Sequence, residues 1–339
     1  MAGGSSEPAR AAFAQSLKET LHDKEAVDCK PHQCLDDGLA GYVFDLLPLR
    51  SALSFDNHVA IDGPFSLRLL LLMIASLSPL SSHKLRLVNS AISPHEMLIL
   101  ILHIGVDLFD SRWAQEAANR GVALDFRFPV PDEDEFERPG RPRGQPPKKR
   151  ANGKIDVGHN LYDPVYAQDF SSFAESFPTK YQDPLRTETS PEEGGPPVCD
   201  CAACSPAAPT TYISHSALDD QARESSDLDV MKPFTRAYLH HLLQTHEMSA
   251  HTLLVMHNIQ VLDAFFAGVR HLLESPDRES LFAVEVANFV SFYDEGAMLL
   301  AEATTDWKVV DTARGKGRLA RERAQDTESS PAPEVENPP

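Results

Sequence analysis

Residues 197 to 205 read PVCDCAACS and place three cysteines, Cys199, Cys201 and Cys204, within six positions. Closely spaced thiols ligate zinc once deprotonated, and a Cys-x-Cys-x2-Cys loop can set three sulfurs around one ion. A closed structural site needs one more donor. No cysteine follows, so that donor is sought among His215, His240, His241, His246, His251 and His257. Spacing alone does not choose among them. His215 falls in a polar stretch read as a loop, and His240 and His241 are neighbours, of which at most one faces inward on a helix. The following helix, with His251 or His257, is the better source. A Cys3His set leaves no open position for substrate, so the expected cofactor is one structural Zn2+.

The elements that must hold this loop are helical. FTRAYLHHLLQTHEMSAHTLLVMHNIQVLDAFFAGVRHLLES has helical spacing throughout, and Ser249 is the expected N-cap of its second half, which predicts a pair of packed helices. Upstream the pattern alternates. Residues 11 to 39 carry a helical pattern, GYVFDLL from Gly41 is a β-type run, SLRLLLLMIASL is helix-like, and LRLVNS from Leu85 is strand-like. Ser93, Pro94 and Glu96 then open a helix that Gly105 closes, and VDLFDS at 106–111 is a third short apolar run. Alternation of this kind predicts an α/β fold, a parallel sheet with helices outside it.

The bulk numbers set limits. A net charge of −19 with a pI near 5.1 excludes an all-over basic nucleic-acid surface but leaves room for local basic stretches, at 138–150 and 308–323, both read as solvated. The most apolar window, LLLLMIAS after Arg68, is too short for a bilayer span, so no membrane segment is expected. Five cysteines, an odd number, and an opening MAGGSSEPAR that does not read as a signal peptide point to a reducing, cytoplasmic setting in which Cys29 and Cys34 are ordinary thiols.

CDCAAC followed by FTRAYLHHLLQTHEMSAHTLLVMHN resembles the zinc-binding segment of the tRNA-guanine transglycosylase family, in which a Cys-x-Cys-x2-Cys precedes a Ser/Thr-Arg-Ala-Tyr helix and a later His-Asn. The resemblance names His257 as fourth ligand. It extends over roughly residues 12–126 and 155–290, through KLRLVNSAISPHEMLILILHIGVDLFDS and LYDPVYAQDFSSF. It implies a TIM-barrel enzyme that exchanges a guanine in the tRNA anticodon through a covalent intermediate on an aspartate, a role that aligns with Asp110.

Three departures argue against that role here. Ser111-Arg112-Trp113-Ala114 replaces the family's Pro-Thr-Arg, leaving only Arg112 and Arg120 nearby; LLPLRSALS after GYVFD has no glycine where the base-binding loop is Gly-rich; and early barrel strands have no counterpart. With VDLFDS and RGVALDF, these features resemble the branch of non-catalytic accessory subunits of queuine tRNA-ribosyltransferase. That resemblance implies a heterodimer with the catalytic subunit and contact with tRNA through the complex, in support of queuine insertion. The alternatives are a zinc-stabilised interaction module with no tRNA role, and an active transglycosylase using Asp110. The expected organisation is the C-terminal part of a (β/α) barrel at 12–128, a disordered insertion at 129–152, a zinc-binding helical region at 153–306 interrupted at 205–232, and a disordered tail at 307–339.

Overall fold

The computed structural model describes residues 4–56, 67–131, 144–174, 199, 201–204, 234–275 and 278–328. The interruption expected at 205–232, and His215 with it, lies outside the described residues. In chain order the elements are α1 (Glu7–Ser16), α2 (Asp23–Asp28), β1 (Gly41–Asp45), α3 (Leu46–Asp56), α4 (Leu67–Leu77), β2 (Leu85–Asn89), α5 (Pro94–Ile104), β3 (Leu108–Phe109), α6 (Arg112–Asn119), β4 (Val122–Leu124), β5 (Gly158–Asn160), α7 (Arg236–Thr245), α8 (Met248–Leu273), α9 (Arg278–Phe292) and α10 (Ala297–Glu328).

The three strands expected from Gly41, Leu85 and Val106 form one parallel sheet in the order β1-β2-β3, with Val43 beside Leu87 and Leu87 beside Leu108. Side chains alternate between its faces. Tyr42, Phe44 and Val88 point into a core completed by Ala14 of α1, Leu69, Leu72 and Met73 of α4, and Leu100 and Ile104 of α5. Among the described residues the other face is uncovered: Val43, Leu85 and Leu108 are 51, 55 and 46% exposed. The helix after β2 is built as its sequence dictates. The Ser93 hydroxyl accepts the Glu96 N–H, Pro94 takes the first turn, and Gly105 ends the helix at φ 69°, a left-handed conformation glycine adopts without strain.

A second layer follows. β4 and β5 form an antiparallel pair that the sequence pattern did not reveal, because each has only three residues. α8 lies against β4 and α6, and its Phe265 joins Phe126, Phe128, Phe289 and Tyr293 in an aromatic core with edge-on ring contacts. Gly268 permits this approach, since a Cβ there would fall 1.8 Å from the Phe128 carbonyl oxygen. By length and composition α8 is the one helix among the described residues that could cross a membrane, a candidate that attention to LLLLMIAS had passed over. Its buried side chains include His257 and Asn258 as well as Leu254, Val261, Leu262 and Phe265.

Four expectations are corrected. The CLDDGLA segment forms only a single 3-10 turn, Asp36–Gly38, with the Asp37 carboxylate accepting the N–H groups of Gln33 and Cys34. Ser249 lies inside α8 and Glu247 stands at its N-cap; α7 ends at His246 in a left-handed conformation (φ 58°), which puts the corner earlier. The span 129–152 is not wholly unpacked: the Arg150 guanidinium is buried between Asp156 (2.6 Å) and Glu302 (2.6 Å), so it pairs instead of being solvated, and the exposed Lys148 also reaches Glu302. The tail from 307 is helical through Glu328. Leu299 and Ala303 anchor the start of α10 in the core, Asp306 accepts from Asn160, and the Ala-, Arg- and Glu-rich continuation favours helix.

Candidate metal centre

The corner between α7 and α8 turns α8 back across β4, and this brings His257 under the cysteine loop. The donor atoms of Cys199, Cys201, Cys204 and His257 all lie within 4.8 Å of one another, and all four side chains are buried. His257 Nδ1 is 3.3 Å from the Cys204 sulfur and 3.8 Å from that of Cys201. Its other ring nitrogen, Nε2, lies 2.8 Å from the Leu124 carbonyl oxygen on β4, so Nε2 carries a proton and Nδ1 is the nitrogen turned to the sulfurs, able to ligate once a cation displaces its own proton. The Phe173 ring meets the imidazole edge-on at 5.3 Å and closes that side. The Cys204 N–H points at the Cys201 sulfur at 3.3 Å, a bond that favours thiolate.

Burial by itself lowers the His257 imidazole, but hydrogen bonding and charge from Cys199 and Cys201 overcome it and raise the group to about 10. Hydrogen bonding to Cys199 and Cys204 lowers Cys201, while Cys204 is raised. Without an ion the four donors share protons among themselves, and a bound cation takes the place of those protons. The other histidines are engaged elsewhere. His240 Nδ1 meets the Leu161 carbonyl at 2.8 Å, His251 contacts Asn119, His246 forms the helix corner, and His241 is exposed.

Asn258, next to the ligand, grips the same strand. Its Oδ1 accepts the Leu124 N–H at 2.9 Å, and its Nδ2 donates to Val122 (2.9 Å) and Ala114 (3.1 Å). Beside Leu124, Asp125 begins a buried network. Its carboxylate is 2.8 Å from His159 Nε2 and 3.5 Å from the wholly buried Arg236, which also reaches Asp169 and the Gln145 and Phe173 carbonyls. His159 Nδ1 meets the Tyr166 hydroxyl at 2.9 Å. Burial, reinforced by the Arg236 charge, pushes His159 down to about 4, so this histidine is neutral near pH 7. These groups are sealed from solvent and use one another as partners, which suits a structural role. Sequence reading gave none of these groups a role, although the quoted runs contain Asp125, Tyr166, Arg236 and Asn258; His159 lies in no quoted run.

Asp110 sits apart from this cluster, just past β3 on the sheet's open face. Its Oδ2 accepts the Ser90 N–H at 2.9 Å and its Oδ1 the Arg112 N–H at 3.4 Å. At the same strand ends Arg50 pairs with Glu96 and donates to the Ser90 carbonyl at 2.8 Å, while Glu96 Oε2 accepts the Ile92 N–H. LLPLRSALS, which the resemblance aligns with a base-binding loop, lies in α3, a helix entered directly from β1. Arg120 pairs with Glu116 at 3.7 Å, and Arg112 is exposed.

The family model described as queuine tRNA-ribosyltransferase matches residues 52–288, a stretch that holds Asp110, the cysteine loop and His257. The chain belongs to that family. Over 224 residues it is 29% identical to queuine tRNA-ribosyltransferase accessory subunit 2 of Homo sapiens, covering 63% of this chain and 44% of that protein. The protein of the same name from Pongo abelii gives the same identity and coverage, and that of Schizosaccharomyces pombe is 26% identical over 201 residues, 59% of this chain and 30% of the relative. The chain therefore spans less than half the length of these relatives.

Proposed function

We propose that the chain acts as a non-catalytic accessory subunit of a queuine tRNA-ribosyltransferase, pairing with a catalytic subunit and serving exchange at the tRNA anticodon without performing it. The observation that carries this reading is the state of Asp110. A nucleophilic carboxylate must face a pocket that admits its substrate, whereas Asp110 accepts the Ser90 N–H at 2.9 Å, has a longer contact of 3.4 Å from the Arg112 N–H, and has the Arg50–Glu96 pair at the neighbouring strand ends. The names of the relatives support it.

On the same reading the three-stranded sheet is an arc of a (β/α) barrel at 12–128, its open face being the side that further strands would cover. The ion is Zn2+. Three sulfurs and one imidazole are its usual donors, and bonds of about 2.3 Å to sulfur and 2.0 Å to nitrogen give a tetrahedral nitrogen–sulfur edge of about 3.5 Å, between the observed 3.3 and 3.8 Å. Cys199, Cys201, Cys204 and His257 fill all four positions, so the ion ties the cysteine loop to α8 and takes no part in chemistry. Cysteines that ligate zinc and form no disulfide among the described residues fit a cytoplasmic setting.

The test is co-expression with the catalytic transglycosylase subunit of the same organism, followed by purification and metal analysis. The expected result is co-purification with one zinc per chain. A zinc-loaded chain that does not pair would overturn the accessory reading in favour of a zinc-stabilised interaction module.

A further inference from the structure

Both supports of the His257 imidazole lead to one side chain. The Leu124 carbonyl that takes Nε2 stands next to Asp125, and the Phe173 ring that meets the imidazole edge-on hangs from a backbone whose carbonyl accepts Arg236 Nη2 at 3.1 Å. The same Nη2 lies 3.5 Å from the Asp125 carboxylate, while Nη1 donates to the Gln145 carbonyl at 2.5 Å and to Asp169 at 3.3 Å. The backbone around Arg236 grips a third side. The Phe234 N–H donates to the Ala203 carbonyl inside the cysteine loop at 3.0 Å, and the Arg236 N–H donates to the Ser171 carbonyl, two residues before Phe173, at 3.0 Å. The start of α7 thus touches the cysteine loop, the ring wall and the end of β4, yet supplies no ligand.

Stability alone is a poor account of such a residue. Arg236 is wholly buried, its guanidinium stays charged, and its Nε–H meets no acceptor among the described residues. Taking that charge out of water is costly, and apolar side chains of similar volume often serve a core as well or better. What a planar fork of donors does, and an apolar side chain does not, is fix several acceptors relative to one another. A tetrahedral centre depends on that kind of fixing, because its ligands are aimed by the groups that surround them.

We propose that Arg236 is a positioning residue for the metal centre: by tying Phe173 to Asp125 it holds the His257 ring in the orientation that turns Nδ1 to the sulfurs. This role rests on the zinc reading of the four donors and needs no catalytic partner. Without the fork, the Phe173 wall and the end of β4 are no longer fixed to each other, and the ion keeps three thiolates with a poorly aimed fourth ligand.

The experiment compares the full parent chain with Arg236→Lys, which keeps the charge and loses the fork, and with Phe173→Leu, which keeps the fork and loses the ring. Each is stripped of metal and reloaded with Zn2+ or Co2+; zinc affinity is read by competition against a chromogenic chelator, and ligand geometry from the absorption spectrum of the Co2+ form. Both variants should bind zinc about tenfold more weakly or worse, with an altered Co2+ spectrum. Leu242→Ala, which opens a cavity on α7 in the same cluster of buried side chains, is the control for lost stability and should keep the parent's Co2+ spectrum. An Arg236 that serves stability alone would lower the urea midpoint and leave the Co2+ spectrum of Arg236→Lys unchanged, which would overturn the proposal, as would an equal spectral change in the control. If Arg236→Lys does not fold, Phe173→Leu decides by the same readings, and parent-like affinity and spectrum there would overturn the role. Failure of the parent to bind Zn2+ would sink the zinc reading and this role together; a zinc-loaded parent with unaffected variants would sink this role alone.

Discussion

His257 and Leu124 are joined by a 2.8 Å bond from the imidazole Nε2 to the backbone carbonyl, with Nδ1 of the same ring turned to the cysteine sulfurs. A strand residue thus sets which nitrogen is free to ligate. Leu124 is held twice, since its N–H goes to Asn258, and α8 and β4 act as one unit in presenting the ligand.

Replacing Asn258 with Ala tests that unit without touching a ligand. Three buried bonds to Leu124, Val122 and Ala114 would be lost and their backbone partners left unmet. The expected cost is about 3 kcal/mol of unfolding free energy, read from urea denaturation of the zinc-loaded chain. A change under about 1 kcal/mol would show that the strand does not depend on Asn258.

Cys201→Ser should lower bound zinc from one equivalent to near zero in metal analysis, and with it the thermal midpoint. Because the loop, α7 and α8 share one cluster of buried side chains while β1–β3 pack with α1, α4 and α5 in another, the loss should fall first on the former. Hydrogen exchange resolved by peptide would show faster exchange around 236–258 and near-unchanged protection at 85–104. Uniform loss across both regions would argue that the two cores unfold together.

Asp110→Asn should leave guanine exchange by the co-purified complex within about twofold of the parent. The side effect is local: the Asn amide oxygen can still accept the Ser90 N–H, only the long 3.4 Å contact from the Arg112 N–H is lost, and stability should change by less than about 1 kcal/mol. Abolished exchange with an intact complex would restore Asp110 as a nucleophile.

His95 gives a pH prediction. Its Nε2 bonds the Tyr293 carbonyl at 3.0 Å, its ring lies against Phe289, and Nδ1 has no hydrogen-bond partner among the described residues. Burial lowers the group from 6.5 to about 4, with Lys154 lowering it further and Asp294 opposing. A folded pKa below the unfolded one means stability present above pH 6.5 and lost as pH falls from 6.5 toward 4, by up to about 3 kcal/mol. His95→Gln, whose amide can still donate to Tyr293, should lack that component. The measurement is the difference in unfolding free energy between the two proteins, flat above pH 7 and turning against the parent at pH 5. A parallel pair of curves would exclude His95 from the acid response.

Local signals were readable where one residue does one job. Ser93, Pro94 and Gly105 mark a helix in the sequence because capping and left-handed turns are short-range demands, and the cysteine loop shows its chemistry within six positions. The fourth ligand was not readable from spacing, because His257 is positioned by a corner at His246 and by a strand more than a hundred residues earlier. The same distance hid Asp125 and His159, whose meaning comes from Arg236. Composition misled at Arg150: a Pro- and charge-rich stretch reads as solvated until Asp156 and Glu302 are seen to enclose the guanidinium. It misled again in α10, where basic residues read as a loose tail are good helix formers continuing from a packed start.

The uncovered side of the sheet has a practical corollary in how the protein behaves at high concentration. Val43, half-buried Leu87 and Leu108 lie in register across three strands, and β1 has a neighbour on only one edge among the described residues. An apolar row exposed at the edge of a sheet is adhesive in a way that net charge does not cancel. The chain should therefore salt out early in ammonium sulfate and be retained on a phenyl column despite its strong negative charge, and a lysine at Val43 should shift both toward solubility.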